Sequence, residues 1–187
     1  SIPVKLARQI ARVDVYPMIS SEIKTMGANV YLTGVKFVNM ATKSFLFSQG
    51  TTSNPSTVGF FNSGTNYYEP SSPVKIDVTT VGASQLFIRH FYLPEYYGAE
   101  ANQDHTIMVL RGTYNGIQTF YAIAVNGHAG AGTYRYSVER NHSYKYNVTI
   151  EGRGFDTEAR ALMPENVTKS FDEGAGNANA FYELISQ

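Results

Sequence analysis

The sequence predicts an all-β fold, an antiparallel β-sandwich of about 7–9 strands with Greek-key-like order and long loops. Three observations lead there. Tyr and Phe are abundant, only 16% of residues are charged and Trp is absent, a mixture suited to pleated, half-buried surfaces. Several runs alternate apolar and polar residues with a period of two, which places the apolar set on one face of a strand. Turn residues separate these runs at regular intervals, and Asn115-Gly116 is the strongest hairpin signal among them.

Residues 6–16, LARQIARVDVY, alternate Ala7, Ala11, Val13 and Val15 with Arg8, Arg12 and Asp14. Leu6, Ile10 and Val13 also fit helical spacing, but the β-branched density and the following Pro17 favour a strand. Residues 18–29 have little pattern and read as a loop or a short helix around 20–26. Residues 30–40 and 44–49 read as two strands split by Ala41-Thr42-Lys43. Residues 50–73 are rich in Thr, Ser, Asn, Gly and Pro. A structureless loop of that length is uncommon in a compact domain, so this one is pinned by Phe60, Phe61, Tyr67 and Tyr68 or serves a function.

Residues 74–80 and 84–95 read as strands, and Pro94 ends the second or puts it at an edge. Residues 105–114 and 117–125 flank the Asn-Gly turn, and GHAGAG at 127–132 reads as a flexible loop. In residues 134–138 Tyr134, Tyr136 and Val138 alternate with Arg135 and Ser137. In residues 144–150 Tyr144, Tyr146, Val148 and Ile150 alternate with Lys145, Asn147 and Thr149. The polar break between them, residues 140–143, suits a reversal, so two antiparallel strands are expected here, each with one wet face. From Gly152 the pattern dissolves until FYELIS. The expected organisation is one sandwich domain over residues 1–155, with 156–187 a loosely ordered tail or a donor-strand region of the same domain.

Composition narrows the function. Basic and acidic residues number 15 each, and no Lys/Arg cluster forms the electrostatic footprint of a nucleic-acid binder. No run approaches the roughly 18 apolar residues of a membrane span. Cysteine is absent, which removes disulfides, thiolate metal sites and thiol nucleophiles from this segment. The opening SIPVKLARQIARVDV lacks the apolar core of a signal peptide, so a leader already removed, or a piece of a longer precursor, is expected.

A search for reactive chemistry yields no catalytic, cofactor or metal residues. His90, His105, His128 and His142 are scattered without metal-ligand spacing. GHAGAG has no following helix to cradle a phosphate. Glu95, Glu100 and Asp104 could form a carboxylate pair for glycosidic chemistry, but the spacing suits a solvated loop better. Tyr67, Tyr68, Tyr96 and Tyr97 lie in or beside loops. As exposed rings they could stack on sugars, which makes a surface carbohydrate-binding module the alternative reading; otherwise they roof the sandwich.

Three ordered segments, LARQIARVDV at 6–15, FYLPEYY at 91–97 and VERNHSYKYNVTIEGRG at 138–154, together resemble a known family, the fimbrillins or type V pilins of Bacteroidales, in particular their C-terminal domain. LARQIARVDV resembles the family's opening strand through Arg8 and Arg12. FYLPEYY resembles a strand end carrying Tyr92, Pro94 and Glu95, with Tyr96 where Asn is more usual. VERNHSYKYNVTIEGRG resembles a hairpin marked by Arg140, Asn141, His142 and Tyr144. The resemblance implies a transthyretin-like sandwich, export as a lipoprotein precursor, proteolytic maturation and a place in cell-surface fimbriae at the outer membrane. It also implies strand exchange with other fimbrial subunits as partners, and contact with a host or bacterial receptor or glycan.

A sandwich lacking one strand exposes unpaired main-chain groups beside open core pockets, and a strand from a neighbour fills both. The candidate donor is the last apolar run, Phe181, Tyr182, Leu184 and Ile185. There two apolar sets compete, Phe181 and Ile185 against Tyr182 and Leu184, and the closing Trp of typical shaft pilins is missing. A minor, tip or anchor subunit fits the segment as well as a shaft subunit does.

Overall fold

The computed structural model describes residues 10–44, 60–61, 66–80, 86–98, 105–127, 136–168 and 178–186, with residues 60–61 and 178–186 described by backbone alone. In chain order these are β1 (Ile10–Ile19), α1 (Ser21–Thr25), β2 (Val30–Val38), β3 (Met40–Ala41), β4 (Phe60–Phe61), β5 (Val74–Lys75), β6 (His90–Pro94), β7 (Ile107–Tyr114), β8 (Ile117–Ala124), β9 (His142–Ile150), α2 (Glu158–Ala161) and β10 (Ala178–Ser186). One sheet has the order β10-β9-β1-β6, the other β5-β2-β7-β8, and β3 and β4 form a small ribbon. The fold is an all-β sandwich, as the sequence predicts.

Alternation builds the core. Ala11, Val13 and Val15 of β1 and Tyr144, Tyr146, Val148 and Ile150 of β9 face Leu32, Phe37, Met108, Leu110, Tyr121 and Ile123 of the other sheet, all buried. Each fully buried side chain of this kind contributes about 1.5–3 kcal/mol relative to exposure. Asn115 and Gly116, at φ 51° and 81°, make the tight turn between β7 and β8 that the Asn-Gly pair announces. The ambiguous stretch before Pro17 is a strand. Ser20 caps α1 by accepting a hydrogen bond from the Ile23 N–H at 3.3 Å.

Five expectations need correction. The sandwich is not wholly antiparallel, because β1 runs parallel to β9 from Arg12↔Ser143 to Ile19↔Ile150. The hairpin expected over residues 134–150 does not form. Tyr136 sits at φ 64° and leaves the extended region, Val138 pairs with Tyr96, and both sides of β9 are occupied by β1 and β10. This double flanking also removes the uniform wet face, since Asn147 is buried between the two neighbouring strands. The strand expected over residues 74–80 is short because the segment crosses between sheets: the Ile76 N–H bonds to the Val30 carbonyl at 2.9 Å, and the Ile19 N–H bonds to the Val78 carbonyl at 2.9 Å. Of the strand expected over 84–95, residues 84–85 lie outside the described residues, and among the rest the strand starts at His90. That expected over 44–49 lies, after Ser44, outside the described residues.

The stretch from Gly152, patternless in sequence, covers the second sheet. Phe155 pairs with Phe120, Thr168 with Ile123, and Ala161 and Val167 pack on Val109, Phe120 and Ala122 in a second apolar cluster. A salt bridge from buried Lys36 of β2 to Glu158 holds α2 in place, and the Tyr67 hydroxyl donates to the same carboxylate at 2.5 Å. Gly154 allows this approach, because a Cβ there would lie 2.4 Å from the Phe120 carbonyl oxygen. Gly154→Ala is therefore expected to destabilise the chain by about 1–3 kcal/mol, the usual cost of overpacking, read as a lowered midpoint of denaturant unfolding.

Candidate functional site: the slot beside β9 and its closed end

β9 lies between β1 and β10, and β10 is an edge strand bonded to β9 alone among the described strands. The register settles which apolar set of the last strand is placed toward the core. Tyr182 stands opposite Tyr146 and Leu184 opposite Tyr144, while Phe181 and Ile185 stand opposite Asn147 and Ser143. Directly opposed residues in an antiparallel pair share a face, so positions 182 and 184 lie on the core side. Tyr144 and Tyr146 line that side with their hydroxyls already used: the first accepts from the Glu139 N–H at 2.9 Å, the second from the Asn126 N–H at 2.7 Å. Burial pushes both phenols well above their ordinary ionisation range.

At the start of β9 lie residues that carry the family resemblance. Glu95, just after β6, and Arg140, just before β9, form an ion pair with both side chains about nine-tenths buried. Arg140 Nε donates to Glu95 Oε2 at 2.8 Å and Nη2 donates to the same oxygen. The Tyr97 hydroxyl donates to Glu95 Oε1 at 3.2 Å; burial first and the Glu95 charge second push that phenol up to about 12. Main-chain bonds join the same pieces, with the Tyr96 N–H to the Val138 carbonyl at 2.8 Å and the Asn141 N–H to the Ile10 carbonyl at 3.1 Å. Asn141 takes φ 59°, a left-handed conformation that Asn tolerates, and the His142 ring nitrogen Nδ1 donates to the Arg140 carbonyl at 2.8 Å. On β1, Arg12 donates to Ser143 Oγ at 3.0 Å and pairs with Asp14 at 3.2 Å, and His90 closes on Asp14 at 2.7 Å.

Glu95, Pro94, Arg140, Asn141, His142, Tyr144 and Arg12 are thus brought together, and Tyr92, the register partner of Arg12, is 57% exposed. Arg8 lies outside the described residues. The loop tyrosines are engaged within the fold. Tyr96, expected to face a ligand, is buried because its main chain pairs with Val138. Tyr67 lies beneath Arg111 and Lys36, 4.4 Å and 4.9 Å from its ring centre, and Tyr68 lies beneath Arg89 at 4.5 Å. Sequence reasoning missed Lys36 and Glu158; the lone Lys inside an otherwise apolar strand was the available signal.

Among the described residues no group of three His, Asp or Glu could hold a metal ion. His105 stacks on Tyr136 at 4.5 Å, while His128, Glu100 and Asp104 lie outside the described residues. What the arrangement offers chemically is a main-chain ladder and a row of core positions beside a buried ion pair.

No family model matches the chain. Over 98 residues, half of this chain, it is 31% identical to the Major fimbrium subunit FimC of Porphyromonas gingivalis, the match spanning 22% of that protein. Over that half the chain resembles a fimbrial subunit. The fold of this chain is shared with a candidate cell adhesion protein from Parabacteroides distasonis, at a TM-score of 0.66 and 19% identity over 98% of this chain. It is shared too with the fimbrilin FimA of Porphyromonas gingivalis W83, at a TM-score of 0.54 and 15% identity over 95% of this chain. The chain spans 53% and 58% of those two solved chains, about half of each.

Proposed function

We propose that this chain is a fimbrillin-like domain and serves as a structural or accessory subunit of cell-surface fimbriae, joined to other subunits by strand exchange and contributing to adhesion. Its work lies in main-chain pairing rather than in a reactive site. The observation that carries this reading is β10, a nine-residue edge strand that among the described strands pairs with β9 alone, in a register that sets alternate positions opposite the core residues Tyr144 and Tyr146. Such a strand can be supplied by the same chain or by another copy with the same bonds, so the contact can be handed on from molecule to molecule. Head-to-tail contacts of that kind do not close and build filaments. The relatives' names, a major fimbrium subunit and a fimbrilin, support a fimbrial setting with other fimbrial subunits as partners. Among the described residues no helix is long and apolar enough to cross a membrane.

The absence of native Cys makes a direct test clean. Lys145 and Glu183 are register partners across the β9–β10 ladder. Mixing a Lys145→Cys copy with a Glu183→Cys copy under mild oxidant should give a mixed disulfide dimer when β10 of one molecule occupies the slot of the other. Absence of that dimer at every concentration, while the intramolecular double variant crosslinks fully, would remove strand exchange through this segment.

A further inference from the structure

We infer that the buried Glu95–Arg140 pair is a register stop for whichever strand lies beside β9, a positioning device for the exchange proposed above and resting on it. The ladder permits sliding in steps of two, because a shift of one residue would turn every core position to the wrong face. A shift of two toward the start of β9 would put Ser186 beyond His142, opposite Arg140. That space holds no extended partner. The chain turns at Asn141 (φ 59°), the Arg140 carbonyl is engaged by His142, and the Arg140 side chain is drawn inward to Glu95.

The turn is fastened from three sides. Val138 pairs with Tyr96 after β6, Asn141 bonds to Ile10 of β1, and the Glu139 N–H bonds to the hydroxyl of Tyr144 inside β9. The ion pair ties the first of these fastenings to the turn itself, since Glu95 adjoins Tyr96 and Arg140 adjoins Asn141. Its fork geometry holds the guanidinium in one orientation, which a lysine could not do. The pair therefore sets where pairing along β9 begins, and through it which side chains of the incoming strand meet Tyr144 and Tyr146.

The test reads register directly. In the full chain, Lys145→Cys with Glu183→Cys reports the native register, and Lys145→Cys with Phe181→Cys reports the two-residue slip. With Glu95 and Arg140 intact, only the first pair should crosslink. In the Glu95→Gln, Arg140→Met background the slipped crosslink is expected to rise about tenfold relative to the native one. Should that background fail to fold, Arg140→Lys keeps the charge and loses the fork, and the same rise is expected at smaller amplitude. A register unchanged in the folded variant, or in Arg140→Lys where the double replacement does not fold, overturns the stop. These crosslinks form within one molecule at low concentration, so the result is independent of whether copies exchange strands, which the mixed-dimer experiment decides.

Discussion

Arg140→Met is expected to lower the unfolding free energy by about 3–5 kcal/mol, because it leaves the Glu95 carboxylate buried without its partner. The pair spans the ends of two strands that are distant in sequence, with both side chains about nine-tenths shielded from water. The Tyr97 hydroxyl on Glu95 Oε1 does not replace a guanidinium that donates twice to the other oxygen. Glu95→Gln with Arg140→Met should recover much of the loss, since removing both charges leaves no orphan. Denaturant unfolding of the two single variants and the double variant checks this. A single variant as stable as the parent would mean that solvent reaches the site.

The second large effect is alkaline. Burial raises the ionisation of Tyr67, Tyr97, Tyr121, Tyr144 and Tyr146, with Tyr97 and Tyr121 pushed to about 12 from the usual 10.0. A phenol whose folded-state value is raised holds its proton more tightly when folded. Its stabilisation is complete below pH 10 and is lost as pH rises through about 12. For Tyr121, almost wholly buried and donating to the Gly152 carbonyl at 2.8 Å, a shift of that size corresponds to roughly 3 kcal/mol. Stability should fall steeply above pH 10, and the tyrosinate absorbance should rise in step with unfolding. Tyr121→Phe is expected to flatten the fall. Gradual titration of every tyrosine in a still-folded chain would contradict the assignment.

Local signals made much of the fold readable. The β7–β8 hairpin follows from Asn115-Gly116 and the alternation on either side, and the faces of β1 and β9 follow from period two alone. Failures arose where distant chain decides. Nothing near Tyr136 announces a positive φ, since Tyr rarely adopts one, so the first arm of the expected hairpin looked like a strand. The parallel neighbour of β9 is β1, far away in sequence, and alternation carries no information about the direction of a partner. At the candidate site, Glu95 and Arg140 were each singled out within their motifs, but their pairing was not visible. The competition between Phe181/Ile185 and Tyr182/Leu184 was visible as well, and it took a register to resolve it.

Hydrogen exchange along residues 142–150 bears most directly on the claim that the edge of β9 is the working surface. In a full-length Leu184→Asp variant, which weakens the chain's own β10, β9 amides should lose protection while β2, β7 and β8 keep theirs. Adding a peptide of sequence ANAFYELIS should restore it, residue by residue in the parent register. Exchange across β9 that ignores the peptide, or unfolding of both sheets together when β10 is weakened, would show that this edge is not a site another strand can fill.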